Sequence, residues 1–99
     1  MVNNANQAAD PAALAALENA IFTLLAQRQN GATICPSDAA RAVYATAADW
    51  RAAMPAVRGV AAQLAAQGRL VVTQGGKIVD ITTAKGPIRL RLPPGNENL

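Results

Sequence analysis

The sequence predicts a mainly α-helical domain carrying one small antiparallel β-hairpin, and three observations lead there. Apolar residues recur at helical spacing through the first two thirds of the chain, β-branched and strictly alternating stretches occupy the last third, and a Gly75-Gly76 pair separates two of those stretches. At 99 residues the chain can build one hydrophobic core but not two independently stable ones. Hydrophobic residues make up 52% of it and aromatic residues only 3%. Ala, Leu, Val and Ile must therefore fill the interior, a composition suited to closely packed helices.

Residues 1–9 are polar, lack hydrophobic periodicity and read as a loose arm. Asp10-Pro11 is a helix start, with the carboxylate placed to accept first-turn amide protons and proline where no hydrogen bond is lost. Leu14, Leu17, Ile21, Leu24 and Leu25 then form one apolar face, and Asn30-Gly31 is the expected stop. Thr33-Ile34-Cys35 is long enough only for a fragment of strand. Pro36-Ser37-Asp38 starts a brief second helix with Ala39, Ala40, Val43 and Tyr44 turned inward, ending near Tyr44 or Ala45.

Asp49 is a candidate cap for a third, longer helix that runs to about Gln67 and closes at Gly68. At about 100° per residue, Trp50, Ala53, Met54, Val57, Val60, Ala61 and Leu64 share its core side. Arg51 and Arg58 lie on one flank, and Arg69 extends that stripe if the helix geometry persists. Pro55, Gly59, Ala62 and Ala66 face outward. Pro55 removes an amide donor and clashes with the preceding turn. Either the helix kinks there, or residues 49–54 form a separate turn and the main helix begins at Pro55.

Leu70-Val71-Val72-Thr73-Gln74 is a strand by its β-branched content. Gly75-Gly76 turns the chain, with brief pairing over Lys77-Ile78-Val79-Asp80, and residues 81–86 form a loop. In Pro87-Ile88-Arg89-Leu90-Arg91-Leu92 the alternation puts Ile88, Leu90 and Leu92 on one face and Arg89 and Arg91 on the other. Pro93-Pro94-Gly95 ends regular structure. The domain thus covers 10–92, with 93–99 as a tail.

Helix, short strand, helix, long helix and basic hairpin is the order of a winged helix-turn-helix, three helices plus a wing. A phosphate-binding glycine loop leads from a strand directly into a helix. No helix signal follows Gly75-Gly76, so the pair reads as the turn of the wing. The runs TICPSDAAR, DWRAAMPAVR, GRLVVTQGGK and KGPIRLRL also resemble a family of small bacterial winged-helix domains of uncharacterised function, over about residues 20 to 92. That resemblance implies the same fold and carries no activity with it.

Charge is segregated. Residues 41–92 carry Arg41, Arg51, Arg58, Arg69, Lys77, Lys85, Arg89 and Arg91 against Asp49 and Asp80, a net +6; residues 1–40 sum to −2, and Glu97 brings the total to the formal +3. A basic half-domain points to nucleic acid or another polyanion. Arg51, Arg58, Arg69, Lys77, Lys85, Arg89 and Arg91 are the candidate contacts, against the plainer alternative of a solvated charged surface. Base readout calls for hydrogen-bonding side chains, and Pro55, Gly59, Ala62 and Ala66 offer almost none, so weak sequence preference is expected. Alternatively, that small-residue face is a dimer contact or a docking site for another protein, or simply reflects alanine's helix propensity.

With no histidine, neither a Ser-His-Asp nor a Cys-His pair can form, and the usual zinc sets are unavailable. Asp38, Asp49 and Asp80 show no spacing that requires a shared site. The expectation is a non-enzyme without metal or organic cofactor. Cys35, the one cysteine, excludes an internal disulfide and reads as a small packing residue ahead of the second helix rather than a reactive thiol. Trp50 reads as packing rather than a base-stacking platform. The N-terminus lacks a basic secretory n-region, and no apolar stretch reaches membrane-spanning length, so a cytoplasmic protein that does not engage membranes is expected.

Overall fold

The computed structural model describes residues 10–29 and 31–94; the arm at 1–9, the expected stop at Asn30 and the tail beyond Pro94 lie outside the described residues. Among the described residues four helices, α1 (Pro11–Ala26), α2 (Pro36–Val43), α3 (Ala47–Ala52) and α4 (Met54–Ala66), precede three strands, β1 (Val71–Gln74), β2 (Lys77–Ile78) and β3 (Arg89–Arg91). The mainly helical fold with a small antiparallel sheet agrees with the sequence reading, and its order is compatible with a winged helix-like fold.

The core follows from periodicity. Leu17, Ile21 and Leu25 of α1 meet Ala39 and Ala40 of α2, and Val57, Val60, Ala61 and Leu64 of α4 close over them. Small side chains on α2 allow close helix approach. Leu70, Val72, Ile88 and Leu90 carry the sheet onto the same core. Ile34 exchanges backbone hydrogen bonds with Leu90, each amide donating at 2.9 Å. This bridge ties the segment between α1 and α2 to β3, and both side chains are fully buried.

The predicted third helix is two helices. Ala53 is at once the C-cap of α3 and the N-cap of α4 (φ −83, ψ −8). Pro55 falls in the first turn of α4, where its missing amide is not needed. The break therefore lies one residue before the position read from the sequence. Two cap assignments also change. Thr46, not Asp49, caps α3: its Oγ1 accepts from the Asp49 amide at 3.2 Å, placing Asp49 in the first turn. Asp10 occupies the N-cap of α1 without a side-chain hydrogen bond, and α1 ends at Ala26, short of the expected Asn30-Gly31 stop.

The sheet order is β2-β1-β3, all antiparallel. Gln74 pairs with Lys77 across the two-residue turn. Gly75 and Gly76 both adopt positive φ (58° and 83°), as a type I′ hairpin turn requires. The glycine pair is thus the tip of a hairpin, as its position between extended segments predicts. Among the described residues, no helix is long and apolar enough to cross a membrane.

Candidate nucleic-acid interface

The helical half of the basic surface is organised around the junction of α2 and α3. Pro36 opens α2, and Asp38 in its first turn reaches back: its Oδ2 accepts from the Cys35 amide at 2.9 Å while Oδ1 accepts from Arg41 Nη2 at 2.9 Å. Burial alone would raise the Asp38 pKa. The Cys35 and Arg41 hydrogen bonds, with the charges of Arg41 and Arg28, outweigh it and hold the carboxyl below its ordinary value. Cys35 is half-buried, and its Sγ accepts from the Ser37 hydroxyl at 3.1 Å.

On α3, Trp50 is half-buried against the core, with the guanidiniums of Arg41 and Arg51 over its ring, 5.4 and 5.2 Å from the centroid. Each contact contributes roughly 0.5–1 kcal/mol at an exposed site. The indole serves packing, as its register predicts, and it also fixes where two cations sit. Arg51 remains exposed.

The hairpin and the loop after it hold the second group. Gln74 Nε2 donates to the carbonyls of Lys85 (2.6 Å) and Pro87 (3.0 Å), pinning the loop that follows β2 onto the end of β1. At the start of that loop, Asp80 Oδ1 accepts from the amide and hydroxyl of Thr82 (2.9 and 2.7 Å), which lowers its pKa and sets a tight turn. Lys77 and Lys85 are both exposed on this frame. On β3, Leu90 is buried while Arg89 is exposed and Arg91 half-buried, which follows the predicted alternation. Arg89 is held in place: its Nε donates to Thr33 Oγ1 at 2.9 Å and its Nη2 to the Thr33 carbonyl at 3.4 Å.

The remaining predicted residues separate. Arg58 is half-buried on α4. The stripe from Arg51 through Arg58 to Arg69 is not continuous, because Ala53 breaks the helix before Arg58 and Gly68 (φ 74) ends it before Arg69. Arg69 turns instead to α1, pairing with Glu18 at 3.3 Å and lying 5.1 Å from the Phe22 ring centroid. Of the small-residue face, Pro55, Gly59 and Ala66 are exposed and Ala62 half-buried. Gly59 also lines a groove of about 570 Å³ between α1 and α4, with Leu14, Val60, Leu64 and Gln63. Sequence reasoning missed two features. Gln63 lies one turn from Gly59, so the outward side of α4 is not wholly without hydrogen-bonding groups; the helical period that grouped the small residues would have included it. The place of Arg41 beside Arg51 is invisible to local pattern, because the ring that joins them, Trp50, lies on a different helix from Arg41.

Residues 14–93 match the family described as a protein of unknown function, DUF3253. No curated protein matches the sequence.

Proposed function

We propose, from the premise that the chain belongs to the DUF3253 family, that it is a nucleic-acid-binding module that grips duplex DNA by its phosphates and discriminates weakly between sequences. The observation behind this reading is that Arg51 on α3, Lys77 and Lys85 on the wing, and Arg89 on β3 are all exposed. The ion pairs Arg41–Asp38 and Arg69–Glu18 draw on other cations. Guanidinium and ammonium groups neutralise phosphates and release condensed counterions, which yields affinity without base readout. Pro55, Gly59, Ala62 and Ala66 on α4 supply no side-chain donors or acceptors for base edges, which leaves Gln63 among them as an isolated amide. The reading assigns the chain no catalytic step.

Binding of a labelled random-sequence duplex across a salt series tests it. The expected result is an affinity that falls steeply with salt and differs little among unrelated sequences. A single target held about a thousandfold more tightly than random DNA would contradict the weak preference.

A second reading rests on the surroundings of Gly59, where an added Cβ would meet nothing within 4 Å. Small side chains around the bare Gly59 let another helix come close, so Pro55, Gly59, Ala62 and Ala66 suit a protein or homodimer contact. Light scattering on the purified protein distinguishes self-association from a monomer.

A further inference from the structure

We infer that Ile78 is a wedge that enters the DNA minor groove at a deformable base step, an inference that rests on the duplex-binding reading above. Ile78 is 69% exposed and is the large hydrophobic residue that the described structure leaves in solvent. Its place is fixed by a tight device. The Gly75-Gly76 turn leads straight into Lys77 and Ile78, and Ile78 is in register with Thr73.

Directly paired residues in a sheet point to the same side. Thr73 also pairs with Arg89, so Ile78, Thr73 and Arg89 form one row on the face opposite Val72 and Leu90, with Thr73 buried in the middle and Ile78 and Arg89 exposed at its two ends. Arg89 is two strand spacings from Ile78, about 10 Å. An apolar projection thus stands at the sheet edge, with the exposed Lys77 next to it on the other face of β2 and Arg89, anchored to Thr33, at the far end of its own row. Extension of the sheet by another strand does not account for its exposure, because β2 has only two residues and one of them is a lysine, a combination that protects an edge from pairing.

The partner that matches an apolar tip flanked by cations is a polyanion with apolar steps between its charges. Minor-groove proteins insert Ile, Leu, Phe, Met or Pro between base pairs and hold the flanking phosphates with basic residues. Pyrimidine–purine steps such as TA unstack most easily, so the wedge creates a modest preference for deformable sequence without any base-specific hydrogen bond.

The test compares native protein, Ile78→Ala and Lys77→Ala on two duplexes of equal length, one centred on a TA step with 2-aminopurine beside it and one an A-tract. The native protein is expected to favour the TA duplex by about tenfold and to brighten the 2-aminopurine as the step unstacks. Ile78→Ala should lose about tenfold in affinity for that duplex, the fluorescence change and the preference, with the salt slope unchanged. Lys77→Ala should keep the preference and reduce the slope by about one. Native-like binding and fluorescence in Ile78→Ala, or a change in oligomer mass alone, would overturn the wedge while leaving duplex binding intact. Failure of the native protein to bind any duplex at low salt would overturn both.

Discussion

Replacing Asp38 separates two contributions that one carboxylate makes to the start of α2. One oxygen accepts from the Cys35 amide and the other from Arg41, both at 2.9 Å. An eight-residue helix gains much of its definition from its first turn. Loss of the amide's acceptor costs about 1 kcal/mol, and loss of the partly exposed (i,i+3) pair a further ~0.3–0.5 kcal/mol. Asp38→Ala should therefore destabilise by about 1–1.5 kcal/mol, lowering Tm by roughly 5–10 °C for a domain of this size. Asp38→Asn retains an acceptor for the Cys35 amide and removes only the charge, so about a third of that loss, ~0.3–0.5 kcal/mol, is expected.

The same group gives the stability a pH dependence of defined sign. Its folded pKa lies below the ordinary value of 3.8. The stabilisation is therefore fully present above the unfolded value and is lost as pH falls through the folded one. Urea denaturation from about pH 3 to pH 7 on native, Asp38→Ala and Asp38→Asn proteins reads both effects. The acid limb of the native curve should flatten in both variants. If Asp38→Asn proves as damaging as Asp38→Ala, the backbone cap is not the larger contribution; if Asp38→Ala matches native stability, neither interaction matters.

Leu90 is fully buried and its backbone holds Ile34, so Leu90→Ala should cost about 2–5 kcal/mol, read by thermal or urea denaturation. A loss below about 1 kcal/mol would show that the sheet is not integral to the core. Gly76→Ala introduces a side chain at φ 83 with nothing within 4 Å of its Cβ, so the cost is backbone strain alone, about 1–2 kcal/mol. The hairpin should loosen in hydrogen exchange while the helices keep their protection.

Features governed by local chemistry were legible in the sequence. Gly75-Gly76 demands positive φ whatever surrounds it, and the alternation through Ile88, Leu90 and Leu92 sets which side of β3 is buried. Pro55 announced a break, but its position at Ala53 depends on which residue can serve both as the end of α3 and the start of α4. Asp49 and Thr46 are both chemically competent caps, and only the geometry of the turn after α2 selects the threonine. Arg69 illustrates the limit most clearly: its partner Glu18 is 51 residues away, so no local pattern foretells that its charge is occupied. The Arg41–Trp50–Arg51 arrangement likewise depends on two helices meeting. The three arginines read as one stripe along a helix are divided by the fold: Arg51 lies on α3, Arg58 on α4 and Arg69 against α1.

Duplex binding of the proposed kind requires that the exposed cations of α3 and of the hairpin region both touch phosphate. The decisive measurement is the slope of log affinity against log salt for a random duplex with native protein, with Arg51→Ala/Arg89→Ala and with Lys77→Ala/Lys85→Ala. Each pair of replacements should reduce the slope by about two, with folding confirmed by unchanged thermal unfolding. A native protein that binds with a steep slope unaltered in both variants would place the contact elsewhere on the molecule, and no binding at low salt would remove duplex DNA as the partner.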